Sequence, residues 1–165
     1  MAAGYDALAA KVDGFFARVE SRHGADLQCH TGCSDCCHVR LTVTAVEAAA
    51  LREHVASWPA ERRATLAANL ARDPEQCAAL DAGGRCLVYA ARPIVCRSHG
   101  APIRLRDERS LPVVQACFRN FTAHSPAAAD ADCILDQTTL SALVLATNGG
   151  DPARLDLAAL LAELC

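Results

Sequence analysis

The chain has 165 residues, of which 52% are apolar and 21% are charged, and its formal net charge is −3. This length predicts a single domain over residues 1–165, and the apolar content excludes a disordered chain. No uncharged apolar run approaches ~18 residues, so we expect no membrane partner. The first residues lack the basic and apolar regions of a secretory signal, and we therefore expect a cytoplasmic protein.

The first part of the chain predicts three helices. Apolar residues at three- and four-residue spacing predict an amphipathic N-terminal helix over residues 5–22. Thr44 opens a capping box that predicts a helix over about residues 45–56. Pro59 predicts the start of another helix, over about residues 60–72.

The rest of the chain alternates between irregular and helical patterns. Glycine and proline interrupt residues 73–120, where only a small hairpin between 104–106 and 111–114 is expected. A leucine-rich pattern over 136–164 predicts a C-terminal helical hairpin, whose second helix is expected to be capped by Asp151-Pro152.

Ten cysteines are the abnormal feature of the composition, and eight of them form two groups. The first group is Cys29-x3-Cys33-x2-Cys36-Cys37, and the second is Cys77, Cys86, Cys96 and Cys117. In a reducing compartment, thiols bind metals or act as catalysts more often than they form disulfides. We interpret Cys133 as a buried core residue and Cys165 as incidental.

The spacing of these cysteines suits a metal ion. A two-residue gap lets the sulfurs of Cys33 and Cys36 reach one ion at a Zn–S distance of about 2.3 Å. The side chains of the adjacent Cys36 and Cys37 are expected to diverge, which favours two metals or one polynuclear cluster. All-thiolate ligands suit both zinc and iron. Closed four-thiolate sites favour zinc and a structural role, whereas the adjacent Cys36-Cys37 pair and the nearby arginines favour a polynuclear or iron–sulfur centre, so both metals stay open.

The same residues resemble the YkgJ-type cysteine-cluster family. The resemblance rests on the first group, on Cys77, on Cys86-x2-Tyr89-x2-Arg92-Pro93-x2-Cys96-Arg97, and on Cys117. It covers about residues 27–120 and the helical tail. The family is described as a zinc- or iron-chelating domain. A related cysteine motif in flagellin lysine methylases looks like an iron–sulfur binding element, so the resemblance implies zinc, iron or an iron–sulfur cluster.

The charge distribution fits such a centre. Residues 1–84 carry −3, residues 85–119 carry +5 and residues 120–165 carry −5. Two four-thiolate sites would hold a charge of about −4, which is costly without compensation. We expect arginines of the basic segment, Arg92 and Arg97 above all, to offset this charge and to donate N–H···S bonds. Few aromatic residues accompany them, so we do not expect a nucleic-acid partner.

Three further residues lie beside the cysteines. His38 and His99 are candidates to replace a thiolate ligand or to lie just behind the ligands, and Tyr89 is expected to pack against the cluster or to donate a proton. The sequence names no protein partner.

The predicted fold is mainly α, with helices packed around an irregular, metal-stapled cysteine-rich centre. Two functions follow from it. In one, the protein binds zinc or iron in a structural or metal-handling role. In the other, the centre supports redox or group-transfer chemistry in an iron–sulfur or metal-dependent enzyme. No nucleophile elbow, phosphate loop or dinucleotide motif appears in the sequence, so any enzymatic chemistry is expected at the metal.

Overall fold

The computed structural model describes residues 2–73 and 75–165, and the helices it contains confirm the mainly α prediction. The helices are α1 (Ala2–His23), α2 (Ala45–Ala56), α3 (Ala60–Arg72), α4 (Ile94–Ser98), α5 (Gln137–Thr147) and α6 (Leu157–Glu163). The short strands are β1 (Thr42–Val43), β2 (Ile103–Arg106), β3 (Pro112–Gln115), β4 (Leu135–Asp136) and β5 (Leu155–Asp156). None of the described helices is both long enough and apolar enough to cross a membrane.

The chain divides into two compact units. The first unit comprises His30–Pro93 and Asp151–Cys165, together with Ala2, and the second comprises Ala3–Cys29 and Ile94–Gly150. The cysteine signature is shared between the units, because a unit boundary falls inside each of its two groups.

In the first unit, the helix bounds follow from local chemistry. Thr44 and Glu47 form the predicted capping box, in which the Thr44 N–H donates to Glu47 Oε2 at 2.7 Å. This bond satisfies a backbone donor that the start of α2 would otherwise leave unpaired. The unit core is built from α2, α3 and α6 and from the segment that carries Ala78 and Val88. The predictions for α2 and α3 are therefore confirmed.

The start of α6 differs from the sequence prediction. Asp151-Pro152 does not cap the helix, because residues 151–154 are irregular, Leu155–Asp156 forms β5, and Asp156 is the N-cap of α6. There β5 pairs with β1 in antiparallel register, Thr42 opposite Asp156, and the Asp156 carboxylate accepts a 2.8 Å bond from the Ala159 N–H. The pairing to β1 is a long-range contact, and it outweighs the local proline signal.

The second unit contains a three-stranded sheet in the order β3-β2-β4. β2 and β3 form the predicted hairpin, and β4 runs parallel to β2. The Asp136 carboxylate caps α5 by accepting from the Thr139 N–H at 2.8 Å, so a Leu-Asp pair precedes a helix here just as it does in the first unit. The apolar face of α1 is buried, and its Phe15 and Val19 pack with Phe121 and Cys133.

Candidate metal centre

The first cysteine loop is a tight turn. Gly32 has a φ of +97°, a conformation that favours glycine. The Cys33 N–H donates to the His30 carbonyl at 3.0 Å, and the Cys37 N–H donates to the Ser34 carbonyl at 2.8 Å. Together these bonds fold Asp35–His38 into a single 3-10 turn that carries Cys36 and Cys37.

A second tight turn connects Cys77 to Cys86. The Asp81 carboxylate accepts from the backbone N–H groups of Gly83 and Arg85, each at 2.8 Å, and from Arg85 Nε at 3.0 Å. The Arg85 backbone bond is the main cause that holds the pKa of Asp81 below its usual range. Asp81 therefore keeps this turn closed, although the sequence analysis did not single it out.

The two loops touch each other within the first unit. The Cys77 N–H donates to the Cys37 carbonyl at 2.8 Å. Gly84, with a φ of +73°, lies so close to Gly32 that a Cβ atom on Gly84 would sit 2.9 Å from Gly32 Cα. Two glycines facing each other thus allow the loops to approach, and a side chain at Gly84 would separate them.

Four thiols gather where these loops meet, and we call Cys36, Cys37, Cys77 and Cys86 the four-thiol cluster. Cys36 is the main cause that raises the pKa of Cys37, and the causes also include Cys77 and Cys86, so the four thiols lie near one another. The short 3-10 turn brings Cys36 and Cys37 together. None of the ten cysteines, all of which lie in the described part of the chain, forms a disulfide.

The cluster disfavours negative charge when no cation is present. The adjacent Cys36, burial and the neighbouring thiolates raise the pKa of Cys37. Burial is the main cause that raises the pKa of Cys77, and it raises the pKa of Cys86 to about 11. Arg92 acts in the opposite direction on Cys86. Thiols that repel one another as anions are suited to surround a cation, so this donor set fits zinc or iron.

The second unit holds three further signature cysteines, and the buried Asn120 contacts two of them, Cys29 and Cys117. Asn120 Nδ2 donates to Cys29 Sγ at 3.2 Å and to the Gly100 carbonyl at 2.8 Å, while its Oδ1 accepts from the Gln28 N–H at 2.8 Å. The Asn120 N–H also donates to the Cys117 carbonyl. The N–H···S donor seen here is therefore an amide, which the sequence analysis missed because it considered only arginines.

Gly100 explains how closely the chain passes Cys29. Its φ is +99°, and a Cβ atom at this position would lie 2.7 Å from Cys29 Sγ and 3.1 Å from Asn120 Nδ2. Cys96, one turn earlier in α4, is half-buried. Space beside a thiol therefore requires a glycine at position 100.

The arginines, tyrosine and histidines predicted to lie beside the cysteines differ in burial and in their partners. Arg97 is buried and pairs with Asp13, whereas the Arg92 guanidinium lies 3.6 Å above the centre of the Tyr89 ring. Tyr89 is 61% exposed, and His38 and His99 are exposed as well. Cys133 is fully buried, as expected, and Cys165 is exposed.

In the part of the chain that the structure describes, the most closely spaced metal-type ligand atoms lie outside the cysteine signature. Among residues 2–73 and 75–165, three or more such atoms lie within 4.8 Å of one another only at His23, Asp130 and Cys133. The thiols of the signature are therefore more widely spaced than in a filled tetrahedral site, where sulfurs 2.3 Å from zinc are about 3.8 Å apart. The sequence analysis missed this group because His23 lies more than 100 positions before Asp130 and Cys133 in the chain.

We predict that Asn120→Asp weakens the second unit. The new carboxylate still accepts from the Gln28 N–H, but it cannot donate to Cys29 Sγ or to the Gly100 carbonyl. The Gly100 carbonyl is buried, and a buried carbonyl left unpaired costs about 1–3 kcal/mol, so urea unfolding should show a loss in that range, together with weaker metal retention. Gln137→Glu, the same chemical change at an exposed position in this unit, should stay within about 0.5 kcal/mol. Equal stability of the two variants would contradict the role assigned to Asn120.

The fold and the gathered thiols define a mainly helical, cysteine-rich metal-binding protein. The chain belongs to the family whose model is described as "CxxCxxCC: Putative zinc- or iron-chelating domain", which matches residues 28–118. The family resemblance noted in the sequence is thereby confirmed, and zinc or iron is the metal of this class. Neither the comparison with curated proteins nor the comparison with solved structures gives a match.

Proposed function

We propose that the protein chelates zinc or iron through the signature thiols in a structural or metal-handling role, with the four-thiol cluster as its central site. The observation that carries this proposal is the contact between the two loops that hold Cys36, Cys37, Cys77 and Cys86: the Cys77 N–H donates to the Cys37 carbonyl at 2.8 Å, and Gly84 lies against Gly32. Cys29, Cys33, Cys96 and Cys117 complete the proposed ligand set.

The electrostatics support this assignment. Protonated thiols with raised pKa values must lose their protons when a metal binds, and the ion then compensates the negative charge that burial and neighbouring thiolates disfavour. Four thiolates around a divalent ion still leave a charge of −2, and Arg92, which acts on Cys86, offsets part of it. Binding also draws the sulfurs closer together than they lie in the metal-free chain.

The small cavity beside Cys77 supports a structural or handling role for the four-thiol cluster. A cavity lined by Cys77, Leu157 and Leu161 has a volume of about 20 Å³. That volume holds roughly one water molecule, whereas pockets for small organic molecules measure about 300–1,000 Å³. Cross-linking by a metal would instead hold the irregular segment between α3 and α4 in place.

One observation favours an iron–sulfur centre as the second candidate. The Asn120 amide donates to Cys29 Sγ, and hydrogen bonds to cysteine sulfurs are among the features that set the reduction potential of iron–sulfur clusters. In this alternative the centre supports redox or group-transfer chemistry. Its ligands come from the same signature, so metal identity separates the two functions.

Anaerobic purification followed by elemental analysis and a visible spectrum tests both candidates. A colourless protein with stoichiometric zinc, or with iron that lacks acid-labile sulfide, is the expected result for the chelating role. Brown colour with acid-labile sulfide would establish the iron–sulfur alternative. Only trace metal in an anaerobic preparation would contradict both functions.

A further inference from the structure

A second set of ligand atoms lies in the second unit, apart from the cysteine signature in sequence. His23 is the last residue of α1, while Asp130 precedes a 3-10 turn (Ala131–Cys133) that ends at Cys133. Their ligand atoms all lie within 4.8 Å of one another, and His23 Nε2 is 3.5 Å from Asp130 Oδ2. An imidazole, a carboxylate and a thiol therefore converge from two elements that are distant in the chain.

The three residues differ in their burial in a way that makes the group accessible from one side. Cys133 is fully buried among the apolar residues of the unit core, and the His23 ring packs against Phe121 at a centroid distance of 5.8 Å. The side chain of His23 is 18% exposed and that of Asp130 is 55% exposed. The thiol is thus the inner ligand and the carboxylate the outer one, with solvent beyond it.

The neighbouring charges leave the Asp130 carboxylate able to turn towards a cation. Arg22 Nη1 is 3.4 Å from Asp130 Oδ2 but only 2.7 Å from Asp132 Oδ1. Asp132 also pairs with Arg18. Arg22 would therefore keep a closer carboxylate partner if Asp130 were to bind a metal ion.

We propose that His23, Asp130 and Cys133 form a separate site for a divalent transition-metal ion of the Zn²⁺ class, with three protein ligands and one position open to solvent. Imidazole nitrogen, carboxylate oxygen and thiolate sulfur are all established zinc ligands. A neutral imidazole, one carboxylate and one thiolate bring the charge with Zn²⁺ to zero, which suits a half-buried position. The ion replaces the weak 3.4 Å bond from the Asp130 N–H to His23 Nε2.

The thiol proton leaves to solvent as the sulfur binds, so no oxidant or reductant is needed. The open fourth position takes a water molecule, as in zinc sites with three protein ligands. This site differs from the four-thiol cluster in ligand type, in charge and in the unit that carries it.

Counting bound ions tests this proposal. The full-length protein is stripped of metal under anaerobic conditions and titrated with Zn²⁺, and native mass spectrometry counts the ions per chain. His23→Ala and Asp130→Asn should each bind one ion fewer than the wild type. His124→Ala is the matched control, because His124 Nδ1 pairs with Asp26 at 2.9 Å in the same unit without a cysteine in the group, and its count should not change.

Loss of folding does not account for the expected result. Cys133→Ala would create a cavity in the core, whereas Asp130 is exposed, and asparagine there keeps the side-chain size while weakening its ion pairs with Arg22 and His23. X-ray absorption at the zinc edge provides a second readout. The wild type should show scattering from an imidazole ligand, and the His23→Ala variant should lose that contribution. Unchanged counts and spectra in His23→Ala and Asp130→Asn would overturn the proposal.

Failure here is distinguishable from failure of the proposed function. A protein that binds Zn²⁺ only through the signature loses ions in Cys36→Ser but none in His23→Ala, which refutes this site alone. If Cys36→Ser retains a single ion, and adding His23→Ala to that variant removes the ion, the result would support the site of His23, Asp130 and Cys133. Absence of zinc binding by the wild type would refute both.

Discussion

Cys77→Ser should release the metal from the four-thiol cluster and destabilise the first unit. The substitution keeps the side-chain size and the backbone bond from position 77 to the Cys37 carbonyl, so it removes little besides the thiolate. Structural zinc binds with an apparent free energy of about 10–16 kcal/mol. An equal share for each of four ligands is about 3–4 kcal/mol, so affinity should fall by roughly 10²–10³-fold.

Competition with a chromophoric chelator measures this affinity, and thermal unfolding with and without metal reports the stability that metal binding contributes. Cys165→Ser is the control, because Cys165 is exposed, lies outside the cysteine signature, and its thiol donates to the Leu161 carbonyl of α6 at 3.3 Å. Similar affinity in the two variants would show that Cys77 is not a ligand.

Gly84→Ala should separate the two cysteine loops. An alanine with a φ of +73° costs about 1–2 kcal/mol, and its Cβ would lie 2.9 Å from Gly32 Cα and 3.2 Å from the Gly32 carbonyl oxygen. Both are backbone atoms that cannot rotate away, and overpacking adds about 1–3 kcal/mol. We expect a loss of about 2–5 kcal/mol in urea unfolding, with lower metal affinity because Cys86 moves away from Cys36 and Cys37.

Gly83→Ala is a closely matched control for this variant. Its new Cβ would meet only side-chain atoms of Asp81 and Arg85, the nearest at 3.3 Å, and its backbone is not in the left-handed region. A change near 0.5 kcal/mol is expected there. If both alanine variants unfold and bind metal alike, the contact between Gly84 and Gly32 does not position the loops.

Much of the secondary structure could be predicted because its signals are local. The capping box at Thr44 and the proline at position 59 act within one helical turn, and the bounds of α2 and α3 agree with them. The predicted start of α6 was wrong because Asp151-Pro152 is a local signal, whereas the pairing of Leu155 with Val43 is a long-range contact. No property of the sequence near position 151 reports on a strand more than 100 residues earlier.

The candidate site divides in the same way. The ordered cysteines by themselves determined the metal-chelating family, since a spacing pattern is a property of the chain alone. Which thiols come together was decided only by the tertiary structure, because the approach of Gly84 to Gly32 joins loops 52 residues apart. Asn120 and the group of His23, Asp130 and Cys133 also arise from long-range packing, which no local spacing encodes.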